Sequence, residues 1–313
     1  MKRIIPYALF LLCCYSAAAQ QQVMFTQYMF NQLPMNPAYA GIHQGISAGV
    51  ISRHQWVGVE GAPQTQTFSI HSPVKYQPIA VGGVFIKDQI GLIDQLGAHF
   101  SFSYRIEVTE HSKLSFGLQG SFNQYRADYS ESAAINPDLA AKTINNISGN
   151  VGSGVMWHSE KFYLGVSIPQ MINNPITDGV SNPIRFSNSK DTDPDSEFVR
   201  HYFATGGYVI ELNKELKLKP NVLIKWVENS PVQFDLNANM LIKEIVWVGM
   251  SYRALESVDA LLQIQLNERL QFGYAYDIPA NSEMGRVNNG SHEIMLNYVF
   301  NLRSGNVASP RYF

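Results

Sequence analysis

The 313-residue chain holds only two cysteines, and both stand near its start, at Cys13 and Cys14. Lys2 and Arg3 precede an apolar run from Ile4 to Cys14, and Ala17, Ala18 and Ala19 supply the small residues that signal peptidase cuts after. That is the pattern of an export signal, with an apolar run too short to span a bilayer. Residues 1–19 are therefore expected to be a removed signal peptide, which leaves a mature chain without cysteine. A disulfide framework, a thiolate metal site and a thiol nucleophile are excluded together. Leu and Cys occupy the places before Cys13 and Cys14 where a lipobox carries a small residue, so lipidation is set aside. Loss of Lys2 and Arg3 takes the formal net charge from −2 to −4. The mature chain thus lacks the basic excess of a nucleic-acid-binding protein, and no nucleic-acid partner is expected. It also lacks any apolar stretch of about eighteen residues, which excludes a transmembrane helix.

What the chain has in quantity is alternation. Leu96, Ala98, Phe100, Phe102, Tyr104, Ile106 and Val108 are separated by Gly97, His99, Ser101, Ser103, Arg105 and Glu107. Leu114, Phe116, Leu118 and Phe122 alternate with Ser115, Gln119, Ser121 and Asn123, and Val232 to Ile242 repeats the pattern. Residues 258–266, 270–278 and 294–302 are each apolar at every second position. Period two means strands with one apolar and one polar face.

A secreted sandwich also alternates. Strand length separates the two readings: these segments run to roughly nine to twelve residues, the span of a tilted membrane strand, against the roughly five or six of a soluble one. Connections separate them again. Fourteen strands are expected, near 44–56, 64–73, 79–87, 95–108, 112–124, 148–158, 161–169, 198–212, 216–227, 230–243, 244–254, 257–267, 269–278 and 291–303. Every connection after an even-numbered strand is short, while the long ones, 125–147, 170–197 and 279–290, follow odd-numbered strands. The expectation is an all-β chain, a transmembrane antiparallel outer-membrane β-barrel of about 14 strands, bounded by lipid. Its parts are a signal peptide (1–19), an N-terminal periplasmic or plug segment (20–42), the barrel (43–303) and a C-terminal tail (304–313). An even strand count places both termini in the periplasm. Trp56, Trp157, Trp226 and Trp247, with Tyr252 and Tyr276, lie near strand ends and are expected at the headgroup level.

The stretch "FTQYMFNQLPMNPAYAG", residues 25–41, follows neither period for long. Pro34 and Pro37 stiffen it, and Pro37 pushes Asn36 out of the helical region. Phe25, Tyr28, Met29 and Leu33 fit one face of a short helix ended by Pro34. Three roles are open: a lumen plug, a docking site for a periplasmic partner, or a packing cap.

Tyr28, Met29, Phe30 and Asn31, followed by Asn36, Pro37, Ala38, Tyr39, Ala40 and Gly41, resemble the opening of the PorP/SprF family of Bacteroidetes outer-membrane proteins. The closing "SHEIMLNYVFNL" and "SPRYF" are similar to that family's end. The resemblance implies a place in the type IX secretion and gliding machinery. Such proteins help large surface proteins, often adhesins with a C-terminal sorting domain, to be exported or held at the cell surface. It further implies secretion components and such a surface protein as partners, with Phe25, Tyr28, Met29, Phe30, Asn31, Asn36, Pro37 and Tyr39 as the expected contact residues.

Catalytic patterns are weak. "GISAG" around Ser47 matches a nucleophile elbow, which needs a strand-to-helix turn, but it lies inside an alternating strand. His43, His54, His71, His99 and His111 make no metal-binding spacing. Asp191, Asp193 and Asp195 alternate like the start of a calcium loop, without its glycine and distal glutamate, and read as a solvated loop tip. No enzyme activity and no cofactor are expected. Two functional classes remain: an interaction barrel for a secreted protein, and a passive pore or small-solute transporter. Gln119, Asn123, Asp235, Asn237, Gln263 and Gln265, expected to face inward, permit the second.

Overall fold

Fourteen antiparallel strands close on themselves in a computed structural model that describes residues 22–43, 45–129, 143–175, 179–181, 197–228, 230–254, 256–280 and 284–301. The first seven are β1 (Gly45–His54), β2 (Gln64–Pro73), β3 (Ile79–Ile90), β4 (Ile93–Thr109), β5 (Ser112–Asp128), β6 (Thr143–Ser159) and β7 (Phe162–Ile168). The rest are β8 (His201–Tyr208), β9 (Leu216–Val227), β10 (Gln233–Ile242), β11 (Val246–Arg253), β12 (Ser257–Gln265), β13 (Leu270–Pro279) and β14 (Ser291–Asn301). Each strand pairs with its sequence neighbour, and β1 pairs with β14 from Gly45↔Asn301 to His54↔His292, which seals the barrel. Closure leaves no end strand in the barrel, as a bilayer without water to satisfy backbone groups demands.

The expected strands are all present; their ends differ in places. β6 starts at Thr143 rather than at 148. Ile144 and Ile147 stand three apart and so fall on opposite faces, which erases the period-two signal there. β8 is shorter than 198–212 because Ile210–Glu211 pairs separately with β9, after a break at Val209. Within the 169–200 connection, 179–181 runs parallel to β6 and 197–198 pairs with 174–175. Residues 1–21 and 302–313 lie outside the described residues, as do Asp191, Asp193 and Asp195.

Outward positions form the lipid face. Phe100, Phe102, Leu118, Phe122, Leu236, Leu262 and Leu296 are exposed, while Ser101, Gln119 and Asn237 beside them are buried. The inner face departs from a uniformly polar wall. Ile51, Phe203, Leu223, Leu241, Trp247, Leu261, Ala275 and Met295 turn inward and form a belt. Trp247, expected among the headgroups, belongs to this belt; its place in β11 has inward parity, beside outward Val246 and Val248. A barrel with an apolar belt inside needs something to cover it. The chain's own residues 23–43 do so, and the core of the protein therefore lies within the lumen.

Candidate functional site

The segment before β1 crosses the lumen from end to end. Gln22 donates its N–H to His201 Nε2 at 3.3 Å, at the start of β8 and hence at the mouth with the long connections. Gly41 donates to His71 Nδ1 at 3.1 Å, two residues from the end of β2 and at the short-turn mouth. Sixteen residues from Thr26 to Gly41 extend to at most ~50 Å, enough to cross a hydrocarbon core of about 30 Å even with local turns. The described chain thus starts at one mouth, at Gln22, and ends at the other, at Asn301. Before β1 the described chain therefore runs back through its own barrel, and the termini themselves lie outside the described residues.

Its local structure is a series of single turns, not the short helix expected between Phe25 and Leu33. Tyr28–Phe30 and Pro37–Tyr39 form 3-10 turns, and Asn31 between them is extended. The wall holds the residues just before the first turn: Thr26 donates its N–H to Glu293 Oε2 at 2.8 Å and Gln27 to Oε1 at 2.9 Å. Asn36 caps the second turn by accepting from Ala38 N–H at 2.9 Å, with Pro37 preset for its first position.

Wall contacts continue down the lumen. Asn31 Nδ2 donates to Ser69 Oγ (2.7 Å), Thr205 Oγ1 to Gln32 Oε1 (3.1 Å), Ser167 Oγ to the Met35 carbonyl (2.8 Å) and Asn36 Nδ2 to the Val155 carbonyl (3.3 Å). Lys219, fully buried on β9, donates to the Met29 carbonyl at 3.2 Å. Its ammonium lies 5.1 Å from the Phe30 ring and 5.8 Å from those of Tyr163 and Trp247, so three aromatic faces replace lost water. Phe25, Tyr28, Met29 and Phe30 meet the apolar belt, and full burial of such side chains stabilises by about 1.5–3 kcal/mol each. The wall has glycine where the segment presses closest. A Cβ at Gly117 would stand 2.2 Å from Ala38 N and 2.4 Å from Pro37 C.

Near the long-loop mouth the segment ends in a buried ionic network. Arg53 of β1 reaches Asp277 of β13 at 2.7 Å and Glu293 of β14 at 3.2 Å, with side chains no more than 4% exposed. Arg53 Nη1 also donates to Thr26 Oγ1 at 2.8 Å, whose hydroxyl donates to Asp277 Oδ1 at 2.8 Å. On the next wall, Arg253 of β11 holds Asp235 of β10 at 3.2 Å.

The expected contact residues Phe25, Tyr28, Met29, Phe30, Asn31, Asn36, Pro37 and Tyr39 are brought together by this path, all buried inside the barrel. Ser47 sits inside β1, where its hydroxyl donates to Asn297 Oδ1 at 3.1 Å, with no strand-to-helix turn around it. His43 and His71 stack at 5.2 Å below Tyr39. Among the described residues no three His, Cys, Asp or Glu side chains are arranged to hold a metal ion. The wall residues Arg53, Lys219, Asp277 and Glu293 escaped the sequence reading, although each is a charge at an inward position of a membrane strand.

A profile of the type IX secretion system membrane protein PorP/SprF matches residues 17–298, nearly the whole chain. The chain belongs to the PorP/SprF family. Family and fold together place this PorP/SprF protein in the outer membrane as a secretion-system barrel. None of the curated proteins matches the chain. Solved structures that resemble it include Omp33 of Acinetobacter baumannii, at 9% identity over 83% of this chain and 100% of that one, with a TM-score of 0.44. CymD, a monoaromatic hydrocarbon channel, is 11% identical over 88% and 93% (TM-score 0.45), and a Pseudomonas aeruginosa FadL homologue 12% over 82% and 90% (TM-score 0.42). At these scores the likeness carries no argument about what this PorP/SprF barrel does.

Proposed function

We propose that this PorP/SprF barrel is a non-enzymatic element of type IX secretion that assists export or surface anchoring of a large adhesin-like substrate through protein–protein contacts. Its partners are secretion components and a surface protein with a C-terminal sorting domain. The observation that supports this reading is the filled lumen: residues 22–43 occupy the path a solute would take, bonded to wall strands on several sides. A barrel closed by its own chain works through its mouths and loops. In this reading the short turns face the periplasm and the long connections face outward, as in other bacterial barrels. The segment is part of the resting architecture and presents the substrate-facing mouth.

The second reading, a passive pore, draws support from the polar wall around Asp235, Asn237 and Gln263, which water would hydrate if the segment left. Gentle isolation from the native membrane, combined with planar-bilayer recording, separates the two. The secretion reading expects a surface protein to co-purify and the intact barrel to conduct little. A large, steady conductance with no co-purifying surface protein would establish the pore.

A further inference from the structure

At the short-turn mouth lies a cavity of about 470 Å³ lined by His43, Lys75, Gln77, Arg105, Glu107 and Lys113, with Pro73, Val74, Tyr76 and Pro78 between them. Three of these side chains are permanent cations and one is an anion, on a chain whose net charge is negative. Glu107 is engaged with Lys113 at 3.6 Å, and both are well exposed, so this pair is loosely held. Lys75 stands 4.9 Å above the Tyr76 ring. Arg105 has no ion pair and no side-chain hydrogen bond among the described residues, although it is half-buried on the inner face of β4.

A guanidinium that has left part of its water without gaining an acceptor is costly, and its planar fork suits a carboxylate or phosphate. We propose that this cavity binds an anionic group with Arg105 as the central ligand and Lys75 and Lys113 at its rim, and that the group is an acidic side chain on a segment of a partner polypeptide. Two observations choose the source. The volume far exceeds one phosphate, so the anion enters on a larger body. Arg105 and His43 point into the mouth, not to the lipid face, which turns the site away from a phospholipid headgroup. The site also touches the lumen segment: the space a Cβ would fill at Gly41 is 2.5 Å from Arg105 Nη2. A bound carboxylate therefore sits against the point where the segment leaves the lumen for β1.

The inference depends on the proposed secretion role only for the side of the membrane on which the partner waits, and binding by purified protein tests it alone. The full chain in neutral detergent is titrated into labelled hexaglutamate, and anisotropy is followed at low and physiological salt. Arg105→Gln is expected to weaken binding at least tenfold. Arg105→Lys, which keeps the charge without the fork, falls between, and Lys75→Gln with Lys113→Gln lowers mainly the salt-sensitive part. Heat-modifiable gel migration reports that each variant is a closed barrel, and the exposed lysine pair leaves the fold untouched. Undiminished binding by Arg105→Gln overturns the site. Displacement of the peptide by inorganic phosphate or by phosphatidylglycerol micelles at equal affinity overturns its assignment to a polypeptide.

Discussion

Among the described residues, Arg53 is the one cation that touches Asp277, Glu293 and Thr26 together, and replacing it by Met removes it. Two carboxylates, 4% and 0% exposed, are then left under the lumen segment without their counter-ion. Removing one partner of a buried pair costs about 3–5 kcal/mol. Glu293 keeps two backbone N–H bonds from Thr26 and Gln27, at 2.8 and 2.9 Å, so the lower figure, about 3 kcal/mol, is the better estimate. The penalty falls on the closed state alone, because withdrawal of the segment lets water reach both acids. At 1.4 kcal/mol per factor of ten, the population with the segment displaced rises roughly a hundredfold. Single-channel recording reads this as new openings in Arg53→Met where the parent protein is quiet. Adding Asp277→Asn and Glu293→Gln removes the stranded charges and is expected to restore most of the closure. Openings unchanged in Arg53→Met, or undiminished in the triple variant, would refute the assignment of the network as the latch of the segment.

Gly117→Val places its side chain into the backbone of Pro37 and Ala38 without disturbing the lipid face, so conductance is expected to rise while the closed-barrel gel migration stays. Leu118→Arg, at a 64% exposed position in the middle of β5, is expected to cost about 2–4 kcal/mol in urea unfolding from lipid vesicles; no change would mean that β5 does not face lipid there. A single cysteine at Val287, 63% exposed between β13 and β14, should label with an impermeant maleimide on intact cells, and one at Tyr76, 81% exposed in the β2–β3 turn, should label only after lysis. The reverse pattern would invert the barrel in its membrane.

Strand number, pairing order and the lipid face were legible because period two reports directly on which residues share a side. Phe100 and Ser101, or Leu236 and Asn237, need no tertiary information to be assigned. The contents of the lumen were not legible from that signal, since alternation says nothing about what stands opposite the inner face. A fainter trace exists. Leu223–Ile224, Leu241–Ile242 and Leu261–Leu262 are adjacent apolar pairs, which place one residue of each pair inward and imply an apolar occupant. Inward charges at Arg53, Lys219 and Glu293 were another trace, visible only once strand parity was known. The path of the segment could not be read from its own residues, because the wall groups that hold it, Glu293 among them, lie far along the chain.

A chain that lies across its own lumen has to be enclosed as the barrel forms. Thr26 and Glu293 are 267 positions apart, and the seam between β1 and β14 joins the two ends of the strand order. Contacts of that separation come late, after loop-closure entropy has been overcome. If β14 docked first, the free N-terminal end would have to thread a closed ring lined with belt side chains. Assembly therefore favours an open, curved sheet that gathers the segment before its last strand arrives, and the segment serves as the form around which that sheet curls. Gln22 is then carried to the long-loop mouth by folding itself. A compact domain fused there would have to cross the membrane plane before the seam could shut, whereas the same domain after β14 would stay at the mouth where that strand ends.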